Sequence, residues 1–501
     1  SGGGDGAVGG VVKRVKQMLR TIPNRGIGYG VLERYVGSDA VGDVVGSHDV
    51  VFNYLGQMDA GSGGSGGADG TGGEALLWRS GERDGRAVSE RVVRHHLVDV
   101  NGSVVGGRLG FGLGFSRRVH TREQIAALGS LFEQRLVEIS EACMDGRVGG
   151  FTPSDFELVG GEGLTQAQVD AVCGDEWRNV QDVYTLSPLQ QGMLFHALMD
   201  PTSDANFTQM ETDVEGDVSL SALHHAWSHV VDSFDVFRTK FVWEGITEPL
   251  QVVQKTIELP YEEVDLRSEA DPRATLRSLL AKDRENKFQL DAGPLIRVLV
   301  ARITDTVTTI AWSHHHILLD GWSLPIIYRT LFQTYDLLRS GQGVGVMDSR
   351  TQYRRYIAWL QKQSSSEAET FWREDLYGVD EPTSIAEMRL GDGADGVVGD
   401  AVTCVLDANV SQALVDFARR EQVTMSTVVQ LGWALVLSAY SRKEDVVFGS
   451  TVSGRSTGDV DGIGQIVGLL INTLPTRVTV KARSKVGDIL RTLQLRQVEA
   501  R

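Results

Sequence analysis

An α/β fold is the expectation for this chain of 501 residues, and three features carry it. Segments 296–303, 306–312 and 445–452 are rich in Val, Ile and Thr, the composition of strands. Segments 324–338 and 424–440 place apolar residues at helical spacing beside them. Apolar residues make up 41% of the chain, enough for the cores of two or three domains, and no repeat of roughly 20 to 50 residues organises them.

Taken in order, residues 50–55 alternate as a strand, and Ile125, Leu128, Leu131, Phe132, Leu136 and Ile139 recur as one face of a helix. A Gly/Ser tract at 61–73 and a Gly/Asp-rich stretch at 391–400 read as flexible loops. Residues 165–172 form a short amphipathic piece within a linker, where Phe151 and Phe156 predict packing against a neighbour. Strands 296–303 and 306–312 are joined by the turn residues Thr304 and Asp305. Ser323 is the expected N-cap of the next helix, with Pro325 in its first turn. Leu324, Ile327, Leu331, Tyr335 and Leu338 line that helix until Gly341. Further on, Thr424 or Ser426 caps a helix whose Val428, Leu431, Leu435 and Leu437 face inward.

Between the second strand and its helix lies the run Trp312-Ser313-His314-His315-His316-Ile317-Leu318-Leu319-Asp320-Gly321-Trp322-Ser323. A side chain at a strand end can face a cleft while the backbone is anchored on both sides. An imidazole, with an unperturbed pKa of about 6.5, can take or give a proton near neutrality. Asp320 is four residues beyond His316, and Gly321 is read as freeing the backbone for a tight turn. The carboxylate is expected to hold the loop rather than touch substrate. Zinc is disfavoured, because Cys143, Cys173 and Cys404 are scattered and no His-Glu-x-x-His helix occurs. A core histidine satisfied by backbone is the bland alternative.

A net charge of −17 argues against nucleic acid, which calls for a basic patch. The three scattered cysteines predict a reducing, cytoplasmic setting without a disulfide framework. No apolar run approaches the roughly 18 to 20 residues of a membrane span, and the Gly-rich, acidic start is unlike a signal peptide. No Gly-rich phosphate loop, carrier-domain serine motif or adenylation-domain motif is found.

Beyond the histidines, ordered segments resemble the condensation domains of nonribosomal peptide synthetases. Tyr184-Thr185-Leu186-Ser187-Pro188-Leu189-Gln190-Gln191-Gly192-Met193-Leu194-Phe195-His196 is similar to the opening motif. Phe237-Arg238-Thr239-Lys240-Phe241 resembles the second, although Ser233 and Phe234 stand where the family has Arg-His. Phe288-Gln289-Leu290-Asp291-Ala292-Gly293-Pro294-Leu295-Ile296-Arg297 resembles the strand entry before the histidines. Tyr356-Ile357-Ala358-Trp359-Leu360 with Phe371-Trp372 resembles the crossover into the second half. Phe448-Gly449-Ser450-Thr451-Val452-Ser453-Gly454-Arg455 and Gly468-Leu469-Leu470-Ile471-Asn472-Thr473-Leu474-Pro475 resemble two late motifs.

The resemblance implies chloramphenicol-acetyltransferase-like subdomains in a V-shaped pseudo-dimer, with the histidine motif at the junction. It implies amide formation between two thioesters on peptidyl carrier domains, whose phosphopantetheine arms enter from opposite ends. Adenylation domains of the same synthetase would be further partners, and no cofactor is expected to bind directly. His316 would stand nearest the attacking amine, as base or as positioner, and His315 would brace the loop. Asp320 would pair with an arginine, Arg238 by first choice and Arg455 by second. Gly321 would leave its N–H for the oxyanion, and Trp322, Ser323, Ser453 and Asn472 would support the site. A coenzyme A-dependent acyltransferase of the same superfamily and a non-catalytic scaffold are the alternatives.

Residues 1–145 resemble the C-terminal part of an epimerization domain, through Arg20-Thr21-Ile22-Pro23-Asn24-Arg25-Gly26-Ile27-Gly28-Tyr29-Gly30 and Val51-Phe52-Asn53-Tyr54-Leu55-Gly56-Gln57. Asn53 and Tyr54 would line that domain's site, and His95 and His96, with no Asp-Gly following, read as ordinary strand or surface residues. Together with the flavour of the opening and histidine motifs, this predicts a D-configured donor and an L-configured acceptor. The expected divisions are 1–145, a linker at 146–178, a His-bearing subdomain at 179–345 and a second subdomain at 346–501. The family continues past the last motif, so the second subdomain is expected to lack closing strands, to expose a sheet edge and to be poorly soluble.

Overall fold

The computed structural model describes residues 5–32, 35, 49–57, 96–144, 148–159, 163–345, 352–385, 402–455 and 459–500. The expected loops at 61–73 and 391–400, and His95, lie outside the described residues. The chain divides into two compact units, residues 1–154 and 155–501.

The first unit contains α1 (Asp5–Thr21), α2 (Gly28–Val31), β1 (Val50–Gln57), β2 (Val98–Val105), β3 (Arg108–Phe115) and α3 (Arg122–Met144). β2 and β3 form a hairpin over Gly106 and Gly107, both at positive φ, the requirement of a two-residue turn that matches strand twist. β1 pairs parallel with β2, Asn53 opposite Asn101. Phe111 of β3 meets Phe132 of α3 edge-on at 4.9 Å. Of the apolar face expected on α3, Ile125 is buried while Leu128, Leu131 and Ile139 stay exposed. Ser154 N donates to Gln17 Oε1 at 2.9 Å and Lys16 Nζ to Gly150 O at 3.3 Å, which straps 148–154 along α1. His96 sits in a bend before β2 rather than in a strand.

The second unit opens with α4 (Gln166–Cys173), started by a Thr165–Gln168 capping box. It continues with β4 (Val180–Thr185), α5 (Pro188–Met199), β5 (Phe207–Glu215), α6 (Leu220–Ser233), β6 (Thr239–Val242), β7 (Leu250–Gln254), β8 (Tyr261–Asp265), α7 (Pro272–Glu285), β9 (Ile296–Arg302), β10 (Val307–His315) and α8 (Leu324–Arg339). Then follow α9 (Arg354–Leu360), α10 (Ser365–Asp375), α11 (Ala408–Glu421), α12 (Met425–Ser441), β11 (Asp445–Val452), β12 (Asn472–Thr479) and α13 (Val486–Glu499). The strands form sheets ordered β5-β10-β9-β8, β4-β7-β6 and β11-β12.

β10 lies inside its sheet, antiparallel to β5 and β9, and every residue from Thr308 to His315 is buried. The strand is buried on both faces although Thr308, Thr309, Ser313, His314 and His315 are polar. It runs three residues further than its Val/Ile/Thr content predicts, because His314 and His315 still have partners in Ile296 and Phe207. The main core joins Trp227, Phe237, Trp312, Ile327 and Leu331 to Tyr353, Tyr356, Ile466 and Leu470. That core therefore crosses the division expected at 345/346. A smaller core gathers Leu431, Ala434, Leu437, Val446, Val478 and Leu490. Thr424 caps α12, but Leu435 is exposed and Ala434 takes the inward position. Among the described residues no single helix is long and apolar enough to cross a membrane.

Candidate functional site

Strand β10 ends on His314 and His315, and His316 follows it directly. His314 stacks on Trp312 at 4.7 Å, and its Nδ1 is buried without a partner. Burial, aided by the neighbouring His316 and His315, pushes the His314 pKa down to about 3. His315 is driven down to about 4, again chiefly by burial and then by His316. Its Nδ1 accepts the Ile317 N–H at 3.2 Å. A neutral ring that accepts at Nδ1 carries its proton on Nε2.

Beyond the strand, His316 N donates to Asn206 O at 2.7 Å and Leu318 N to His315 O at 3.1 Å. Ile317, Leu318 and Leu319 are all buried, so three apolar side chains pin the loop that carries His316. His316 itself is half-buried. Its Nδ1 is enclosed without a hydrogen-bond partner.

Asp320 is fully buried, yet every visible need of its carboxylate is met. Oδ1 accepts from Ser323 N at 3.1 Å and lies 3.2 Å from the Ser323 hydroxyl. Oδ2 accepts from Arg455 Nη1 at 2.7 Å and from Leu470 N at 3.0 Å. Asp320 N in turn donates to Gly468 O at 3.2 Å. Ser323 Oγ accepts from Arg455 Nη2 and from Gly468 N, each at 3.1 Å, and is equally close to Gly468 O. The loop after β10 is thus clamped to the segment between β11 and β12. Two glycines permit this approach. At Gly454, with φ +61°, an added Cβ would lie 2.0 Å from Leu470 O, and at Gly468 it would strike the Tyr353 ring at 2.2 Å.

These contacts correct several expectations. Asp320 pairs with Arg455, the second choice. Arg238 pairs instead with Asp235 at 2.6 Å, where both are buried. It also donates to Gln181 Oε1 and to the carbonyls of Val231, Asp232, Gln254 and Lys255, tying α6 to the β4-β7 edge. An acid three residues away in the same turn reaches Arg238 without any loop closure. Ser323 occupies the cap position of α8 without making the side-chain cap; Asp320 caps the preceding turn, and the hydroxyl serves the clamp. Gly321 has no positive φ and faces open space, so its turn does not demand glycine.

Trp322 is half-exposed beside the loop. Ser453 Oγ accepts from Arg455 N at 3.4 Å, and Asn472 Oδ1 from Thr473 N at 2.9 Å, each serving its own turn. In the first unit Asn53 Nδ2 donates to Asn101 Oδ1 at 3.3 Å, and Tyr54 is exposed.

Sequence reasoning missed a buried amide pair behind the loop. Gln190 Nε2 donates to Ile317 O at 3.0 Å and to Gln251 Oε1 at 3.1 Å. Gln251 Nε2 returns a bond to Gln190 Oε1 at 2.9 Å, and the Tyr353 hydroxyl stands 3.3 Å from the same oxygen. Gln190 belongs to the opening motif, but its spacing signals only a capping box with Ser187, which it also makes. A cavity of about 250 Å³ lies beside β10, with Trp243, Phe207, Phe288, Leu290 and His315 in its wall. It is His315, not His316, that faces it. Among the described residues no three His, Cys, Asp or Glu side chains converge as a metal site, and none of the three cysteines forms a disulfide.

The condensation-domain family model matches residues 180–501. One protein of the linear gramicidin synthase of Brevibacillus parabrevis is 37% identical over 98% of this chain, and bacitracin synthase 3 of Bacillus licheniformis 32% over 96%. The chain spans only 6% and 7% of those proteins' length. The first condensation domain of the calcium-dependent antibiotic synthetase superimposes with a TM-score of 0.52 at 19% identity, covering 63% of this chain and 74% of that one. The starter condensation domain of rhizomide synthetase also gives 0.52, at 21% identity, covering 64% and 71%. With its histidine loop clamped as described and the family's model matched over most of its length, the chain belongs to the condensation domains of nonribosomal peptide synthetases.

Proposed function

We propose that this chain joins a donor peptidyl or aminoacyl group, held as a thioester on one carrier domain, to the amine of an aminoacyl thioester on another. The amine nitrogen attacks the donor carbonyl, the C–N bond forms and the C–S bond breaks. The amine's proton leaves with the departing thiol. An amine is already nucleophilic and a thioester already activated, so the protein needs to position both and to manage one proton and one oxyanion.

The observation that carries this reading is the clamp on Asp320. It fixes the end of β10 and the loop bearing His316 against residues 135 to 150 positions further along the chain, Arg455, Gly468 and Leu470. Such a loop holds its geometry without help from substrate. His316 Nδ1 is the enclosed nitrogen, which leaves Nε2 to meet the incoming amine, as base or as hydrogen-bond acceptor. The phosphopantetheine arms belong to the partner carrier domains, and adenylation domains supply the amino acids.

The donor is read as D-configured. The opening and histidine motifs support this, and so does the resemblance of residues 1–145 to the end of an epimerization domain. The gramicidin synthase relative aligns through both units, 98% of the chain, so the two occur together there as well.

The test is dipeptide formation between two loaded carrier proteins, with the chain in its full synthetase module. His316→Ala is expected to lower the rate 10²- to 10⁴-fold, the usual worth of a positioned acid–base group. Unchanged turnover would remove His316 from the mechanism. Equal rates with D- and L-configured donors would refute the stereochemical assignment while leaving amide formation intact.

A further inference from the structure

The cavity beside β10 has features that the clamp and the histidine loop do not use. Its volume of about 250 Å³ exceeds the roughly 150 Å³ that hold a benzene ring in an apolar protein cavity. Two of its walls are the stacked rings of Phe207 and Phe288, with centroids 5.6 Å apart. They are held from behind: Arg297 lies 4.1 Å from the Phe288 centroid and is itself fixed by Asp283 at 2.6 Å. Trp243 and Leu290 add further apolar surface. These walls are in place before any ligand arrives, as in most small-molecule sites.

Half of the lining residues carry polar side chains, and two of the charged ones are already engaged. The Asp200 carboxylate is engaged by the Thr202 hydroxyl at 2.7 Å. Lys287 is spent on an ion pair with Asp204, which leaves the carboxylate of Asp291 as a charged group of the opposite sign at the cavity. His315 completes the wall, and because its Nδ1 is engaged by Ile317 N–H, Nε2–H is its free donor. Asn206, also in the wall, accepts the backbone N–H of His316. The cavity therefore begins one residue away from the proposed reacting centre, on the neighbouring face of the strand.

We infer that this chamber receives the aromatic side chain of an aminoacyl substrate, and that His315 is a substrate-contacting residue rather than only a brace of its loop. The inference rests on the amide-forming reading above and names the substrate class for it. Flat aromatic walls select a ring over a small side chain, and the carboxylate of Asp291 favours a substrate with a free amine over an acylated one.

Binding of free-amine N-acetylcysteamine thioesters to the intact chain, followed by titration calorimetry, tests it. The phenylalanyl thioester is expected to bind at least about tenfold more tightly than the alanyl one, since even one methylene in an apolar pocket is worth that much. Ala197→Leu extends a helix-compatible side chain from α5 into the cavity. It is expected to erase the difference while leaving alanyl binding unchanged. Equal affinities in the unaltered chain overturn the inference, as does an unchanged ratio in folded Ala197→Leu. If Ala197→Leu does not fold, the ratio in the unaltered chain decides alone. Calorimetry requires no turnover, so a failure of amide formation with every substrate would strike the proposed reaction and leave the chamber's selectivity standing.

Discussion

Removing Arg455 tests the clamp directly. The Asp320 carboxylate is fully buried and Arg455 nearly so, with 2.7 Å between them. In Arg455→Ala the carboxylate keeps Ser323 N and Leu470 N but loses its compensating charge. Breaking a buried pair from one side costs about 3–5 kcal/mol, against a typical domain stability of about 5–15 kcal/mol. Urea unfolding followed by tryptophan fluorescence reads this in the right unit, because eight of the nine tryptophans lie beyond residue 155. Asp320→Ala alone strands the guanidinium and the Leu470 N–H and should cost a similar amount. The double variant leaves no unpaired charge, so it should cost about 3 kcal/mol less than the two single losses added together. Arg455→Lys keeps the charge but not the fork that reaches Asp320, Ser323 and Ile466 together, and it should fall between. A loss below about 1 kcal/mol for Arg455→Ala, the worth of an exposed pair, would refute the reasoning. So would additivity to within about 0.5 kcal/mol.

Two further outcomes follow from the same loop. Gln190→Leu deprives the Ile317 carbonyl, the Gln251 Oε1 and the Ser187 N–H of a buried partner. At about 1–3 kcal/mol for each stranded group, a loss of at least 2 kcal/mol in the urea titration is expected, and a loss under 0.5 kcal/mol would show the amide pair to be dispensable. His315 and His314 are held neutral in the folded chain, with pKa values of about 4 and about 3, against about 6.5 when unfolded. Between pH 6.5 and 4 the unfolded chain thus binds more protons, and stability must fall as the pH falls, by up to about 1.4 kcal/mol per unit for each histidine. His315→Gln should flatten the stability profile between pH 7 and 5 relative to the unaltered chain; superimposable profiles would mean that His315 is not buried neutral.

How much of this was legible in the sequence depends on the range of each interaction. β9, β10 and α8 announce themselves because β-branched content and helical spacing are local signals, and both sit on an uninterrupted stretch of chain. The strand end was misplaced by three residues because His314 and His315 are polar by type. Only their pairing with Ile296 and Phe207, which no local pattern encodes, keeps them in the sheet. The partner of Asp320 was harder still. Arg238 and Arg455 both stand in motifs of the right family, and what separates them is long-range. Asp235 satisfies one from within its own turn, whereas the other reaches Asp320 only when Gly454 and Gly468 let residues 453–455 and 466–470 close on the loop. The turn at Gly321 does not require glycine, whereas at Gly454 and Gly468 a Cβ would strike backbone or ring. A motif names the residues that a fold brings together, but the contact itself is decided by which side chains can approach closely enough. Here that places the clamp's specificity in two residues that have no side chain at all.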